Sequence, residues 1–100
     1  MRRSVYINVM KQGKTNLVAC CDSNLLGKRL RAKKMEFVVA ERFYGGRLVD
    51  IDEAIAILKN ATTANLVGST IIERAIKEGI IHPQAVITIS KVPHAQIVIF

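Results

Sequence analysis

The segment VPHAQ, Val92 to Gln96, sets a histidine and a glutamine two residues apart in front of a closing apolar run. On an extended chain this spacing puts His94 and Gln96 on one side, with Ala95 between them on the other. An imidazole so placed can serve as a general base, a metal ligand or a hydrogen-bond anchor. Nucleophilic catalysis would need a partnered Ser, Cys or Lys, and no such signature accompanies it. Metal ligation would need company, yet His82 is the other histidine and no Cys or acid stands at ligand spacing. No catalytic residue, metal or cofactor is assigned on these grounds. His94 and Gln96 are read as orienting a turn, next to Pro93, and lining a small surface site. Two other stretches could contribute to it. The glycines of Tyr44-Gly45-Gly46 either let a ligand approach the backbone or make an ordinary turn. Asn65, in TTANLVGST, either caps a helix or faces a ligand; Gly68 inside a helix would cost about 1 kcal/mol relative to Ala and permits close packing.

A different chemistry is offered by KRLRAKK. Lys28, Arg29, Arg31, Lys33 and Lys34 crowd into seven residues. Guanidinium forks match phosphate oxygens and ammonium groups add point charge. Residues 1–47 carry eleven Lys and Arg against three Asp and Glu, a balance of +8, whereas residues 48–100 carry four against five, a balance of −1. The whole excess of the +7 chain therefore lies in its first half, and such asymmetry favours a polyanionic partner. Arg2 and Arg3 extend the patch. The plainer alternative is a solvated charged face, but this half has few acids with which to pair. No phosphate-loop spacing is present. Five aromatics in all, none of them inside the run, argue against a base-stacking platform. Recognition of structured RNA by backbone and shape is the expected mode.

The elements that must position these groups follow from the patterning. Val5 to Met10 alternates as a strand, KQGKT turns the chain, and Asn16 to Cys21 returns as its partner. Asp22 and Ser23 can cap a short turn through Leu25 and Leu26. Read as a strand, the basic run puts Arg29, Arg31 and Lys33 on one face and Leu30, Ala32 and Lys34 on the other. Met35 to Ala40 is a further strand, broken at Tyr44-Gly45-Gly46. Asp50 opens a helix with Glu53 at capping-box spacing and the stripe Ile51, Ala54, Ile55, Leu58. A second helix is expected from Ala64 to Glu78, with Gly79 as its stop. Val86 to Ile89 and Ile97 to Phe100 are strands joined by a turn at Lys91 to Pro93. Grouped strands and helices imply an α+β fold: a mostly antiparallel sheet of about five strands with two helices packed on one face.

One hundred residues, half of them hydrophobic, suit one domain over residues 1–100. No apolar run reaches the ~20 residues that span a bilayer. Asn8 and Lys11 make the N-terminal stretch too polar for a signal peptide. A cytoplasmic protein with no membrane partner is expected. Cys20 and Cys21, adjacent on a strand, point to opposite faces and should neither pair nor share a metal.

ERFYGGRLVD, ATTANLVG and VPHAQIVIF resemble segments of the archaeal family catalogued as domain of unknown function 424. The similarity covers nearly the whole chain. Its pattern falls on Tyr44, Gly45, Gly46, Asn65, Gly68, Pro93, His94 and Gln96. The resemblance implies a small α+β protein with no established activity, and it supplies neither catalytic residue nor ligand. This chain is more basic around Lys28 to Lys34 than the typical member. The expectation is a non-enzymatic RNA-binding accessory factor of the ribosome or translation, contacting structured RNA, possible ribosomal RNA included, through Arg2, Arg3, Lys28, Arg29, Arg31, Lys33 and Lys34. One alternative is a small ligand-binding module or enzyme built on Tyr44, Gly45, Gly46, Asn65, His94 and Gln96. The other is a protein-interaction subunit.

Overall fold

A computed structural model describes residues 4–98. Arg2 and Arg3, named above as part of the basic patch, and the last two residues of the expected closing strand lie outside the described residues. Apolar alternation builds the first hairpin: β1 (Ser4–Gln12) pairs antiparallel with β2 (Thr15–Asp22), in register from Gln12 opposite Thr15 to Val5 opposite Asp22. Val5 and Ile7 are buried on one face, while Tyr6 and Asn8 take the other. A second, separate hairpin follows, β3 (Arg29–Ala32) with β4 (Met35–Val38). Then come a single helical turn, α1 (Glu41–Tyr44), the strand β5 (Arg47–Asp50) and the helix α2 (Ile51–Leu58). The chain continues through β6 (Thr63–Val67), the helix α3 (Ser69–Lys77), a 3-10 turn at Pro83–Ala85, β7 (Ile87–Ile89) and β8 (Val92–Val98).

Six strands form one sheet in the order β5-β1-β2-β6-β8-β7. Every neighbouring pair in it is antiparallel except β2 with β6. The α+β class is as expected, and α2 and α3 share one face of the sheet. Their apolar stripes, including Ile55, Leu58, Ile71 and Ile72, pack on Val5, Ile7, Val18, Cys20 and Leu66. The other face is covered as well, by the β3–β4 hairpin and α1. There Leu25, Leu30, Val39 and Tyr44 close over Ala19, Cys21, Val67 and Ile89. Cys20 thus enters one core and Cys21 the other, each as a free thiol, as strand alternation requires. No helix among the described residues is long and apolar enough to cross a membrane.

Several element expectations need correction. Among the described residues the sheet is mixed and has six strands, there are eight strands in all, and there are three helices rather than two. Most of the difference arises at Thr63–Val67, which is a strand and not the start of the second helix. Gly68 divides the two elements. Its φ of +117° is open to glycine and strained for other residues, and a Cβ there would fall 2.3 Å from the Asp22 Cγ. The space is taken by a long-range cap. The Asp22 carboxylate accepts the Thr70 N–H at 2.9 Å and the Ile71 N–H at 3.0 Å, satisfying the first turn of α3 from the end of β2. Asp22 therefore caps α3 as well as opening the local turn expected of it, where the Leu25 N–H reaches the Asp22 carbonyl at 3.0 Å. Asp50 does cap α2, its carboxylate accepting the Asp52 N–H at 3.3 Å. Glu53 pairs with Arg47 at 2.9 Å. The last turn also differs. Ser90 and Lys91, at φ of 51° and 66°, form the tight connection, so β8 begins at Val92 and carries Pro93, His94 and Gln96 inside a strand. Pro93 fits because its carbonyl accepts the Gly68 N–H at 2.9 Å and it has no N–H to leave unpaired.

Candidate ligand cleft and basic hairpin

Sheet register brings the polar candidates together. Asn65 stands opposite Gln96, and Val67 opposite His94. Across the sheet the Asn65 row continues through Ala19 to Asn8. All these residues face the side covered by α1 and the β3–β4 hairpin. Asn8 donates its amide N–H to the Phe43 carbonyl at 3.0 Å, which fixes α1 over β1. Between these layers lies a cleft of about 290 Å³. Its floor is Asn65, His94 and Gln96. Phe37 and Val38 of β4 form one wall; Ala40, Phe43 and Tyr44 form the other.

Three of the five aromatic residues of the chain meet at this cleft. Phe37 packs on the His94 ring with centroids 4.6 Å apart and planes tilted by 53°. Phe43 meets Tyr44 edge to face at 4.9 Å. Burial pushes the Tyr44 phenol up to about 12, with the neighbouring Cys21 adding to the shift. Burial also lowers the His94 pKa below its ordinary value, so the ring is neutral at neutral pH. His94 Nδ1 is buried and has no hydrogen-bond partner among the described residues. Leaving such an atom unpartnered typically costs ~1–3 kcal/mol, and buried polar atoms are as a rule hydrogen-bonded.

The paired glycines serve packing. Gly45 and Gly46 do not line the cleft. A Cβ on Gly46 would sit 2.4 Å from the Ile7 carbonyl oxygen, so the residue lets the chain cross β1 at close range. Of the six candidate ligand-site residues, the structure gathers Tyr44, Asn65, His94 and Gln96 and leaves the two glycines behind them. Sequence reasoning missed Phe37 and Phe43. Phe37 belongs to the strand after the basic run and Phe43 precedes Tyr44, but only the folding of the hairpin and of α1 across the sheet brings them to the cleft with His94.

The basic run occupies β3, its turn and the flanking residue. Leu30 points inward while Arg29 and Arg31 are exposed, as the strand reading requires. Lys33 and Lys34 form the two-residue turn, with Lys33 at φ 52°. The acids are not wholly absent. Glu36 stands directly opposite Arg31 and pairs with it at 3.2 Å and with Arg29 at 3.7 Å. Lys28, Lys33 and Lys34 are exposed and make no ion pair among the described residues. From Lys28 to Val38 five cations face one acid, a local balance of +4. Among the exposed large apolar residues, Leu48 on β5 and Ile87 on β7 lie at opposite ends of the sheet, and Val98 stands on β8. Among the described residues, no group of three or more His, Cys, Asp or Glu is gathered as a metal site would need.

Fold and cleft together define a small α+β domain: a mixed sheet with α2 and α3 on one face, and α1 and a basic hairpin around an aromatic cleft on the other. The family model described as "Protein of unknown function (DUF424)" matches residues 10–100, and the chain belongs to that family. It is also similar to a solved structure, the crystal structure of an uncharacterized conserved protein from Methanopyrus kandleri, with 25% sequence identity and a TM-score of 0.82. That likeness covers 94% of this chain and 90% of the other. No curated protein matches the chain.

Proposed function

We propose that the protein is a cytoplasmic RNA-binding accessory factor that grips phosphates of structured RNA with the β3–β4 hairpin. A role at the ribosome or elsewhere in translation is part of the proposal, since structured RNA is concentrated there. The observation that carries it is the +4 segment from Lys28 to Val38, whose three exposed lysines have no acid partner among the described residues. Exposed arginines held near a shared glutamate keep most of their freedom, because exposed ion pairs are worth only ~0–1 kcal/mol. Phosphate can displace Glu36 from Arg29 or Arg31 and gain bidentate geometry. The two-residue turn leaves Lys33 and Lys34 exposed at the tip of the hairpin, where they can reach phosphates along a groove.

The test is fluorescence anisotropy with a labelled stem-loop RNA. The combined K28E/K33E/K34E variant should lose affinity by about tenfold or more at moderate salt. These side chains are exposed, so circular dichroism should show the fold intact. Unchanged affinity in a folded variant would overturn the proposal.

A further inference from the structure

The cleft has a chemistry of its own. Its lining contains no Asp, Glu, Lys or Arg, so it is built for a neutral ligand. At about 290 Å³ it lies at the small end of ligand clefts, large enough for one ring system and too small for a dinucleotide. Phe37, Phe43 and His94 are half-buried, which leaves part of each ring accessible for stacking. Asn65 and Gln96 face each other across β6 and β8, and no side-chain hydrogen bond among the described residues engages either amide. Each amide offers a donor beside an acceptor.

We infer that this cleft binds an adenine-type base, stacked on Phe37 and Phe43 and read at its edge by Asn65 and Gln96. The edge chemistry narrows the choice of base. Amides of Asn and Gln pair with the adjacent donor and acceptor of adenine, whereas guanine favours Arg or Lys and the cytosine amine favours a carboxylate. Neither of those partners lines the cleft. The base can arrive as a free nucleoside or as an unstacked residue of an RNA strand, whose bases are commonly bound by aromatic stacking and edge hydrogen bonds. Phe37 and Val38 share β4 with the hairpin whose other strand carries Arg29 and Arg31, so phosphates held there would lie beside a base in the cleft. The ring-binding inference does not rest on the phosphate reading; only its RNA arm does.

Nuclear magnetic resonance on the nitrogen-15-labelled full chain tests it, with the Asn65 side-chain amide as reporter. Adenosine should shift that resonance saturably, and cytidine and guanosine should not. Gln96→Leu, at an exposed position, should leave the spectrum of the fold intact and weaken adenosine by about tenfold, the discrimination expected of one amide pair. Phe43→Leu should weaken it comparably through lost stacking. A single-stranded oligoadenylate that shifts Asn65 at lower concentration than adenosine identifies RNA as the source; adenosine acting alone identifies the free nucleoside. Two results would overturn the inference: an Asn65 resonance that stays in place with both probes, or one that shifts equally in the native protein and Gln96→Leu. Stem-loop binding with a silent cleft removes this inference and leaves the hairpin reading standing. Saturable adenosine without RNA binding does the reverse.

Discussion

Replacing Asp22 by Ala should damage the fold more than any other single polar substitution in the sheet. Its carboxylate is buried and serves the Thr70 and Ile71 N–H groups at 2.9 and 3.0 Å. Hydrogen bonds to charged groups contribute about 1.5–3 kcal/mol each, and a lost helix cap costs about 0.5–2 kcal/mol. The two bonds share one carboxylate, so the values do not simply add, and Asp22→Ala should cost about 2–4 kcal/mol. That is a large part of the ~5–15 kcal/mol that stabilises a typical domain. For a chain of this size it corresponds to a fall in Tm of roughly 10–30 °C. Asp22→Asn keeps one oxygen acceptor and drops the charge, so it should cost about half as much. Urea unfolding followed by circular dichroism gives the free energies, and amide exchange at Thr70 and Ile71 locates the loss. An Asp22→Ala protein within ~0.5 kcal/mol of the native one, with both amides still protected, would refute the reasoning.

Gly46→Ala should destabilise by about 1–3 kcal/mol, because its Cβ would meet the Ile7 carbonyl oxygen at 2.4 Å and backbone must move; a urea midpoint equal to the native one would contradict the close approach. Burial, helped by Asp22, pushes the Cys21 thiol up to about 12, and burial raises Cys20 as well. Neither should react with iodoacetamide at neutral pH in the native state, and both should react on unfolding; stoichiometric native labelling would be inconsistent with two dry cores. Burial holds His94 below its ordinary 6.5. The folded state favours the neutral ring, so its contribution to stability is present above the unfolded value and is lost as pH falls through and below about 6.5. Urea midpoints measured from neutral to mildly acid pH should decline less in His94→Gln than in the native protein, and parallel declines would contradict that assignment.

Local patterning made much of this architecture legible. The alternation from Val5 to Met10 and the capped stripe from Asp50 to Leu58 have one reading each, and both elements form there. Thr63–Val67 was not legible because its apolar residues run on into Ile71, Ile72 and Ala75 at helical spacing. The break depends on Gly68 making room for Asp22, a residue distant in sequence. The turn before β8 was hidden for another reason: Ser90 and Lys91 adopt left-handed backbone without a glycine to announce it. His94 and Gln96 could be paired from strand spacing alone. Their meeting with Asn65 required the register of β6 against β8, and their meeting with Phe37 and Phe43 required the hairpin to fold over that face. Counting charges by halves of the chain included Glu36 but could not show its pairing, because only the hairpin register sets that acid opposite Arg31 and within reach of Arg29.

The salt dependence of stem-loop RNA affinity tests the central proposal most directly. Glu36 offsets one of the five hairpin cations, leaving about four effective phosphate contacts. Log affinity should therefore fall with log salt at a slope of about −3 to −4, and removing three of those charges as K28Q/K33Q/K34Q should flatten the slope to about −1. Binding that is insensitive to salt, or a slope unchanged by the three substitutions, would contradict phosphate recognition by this hairpin.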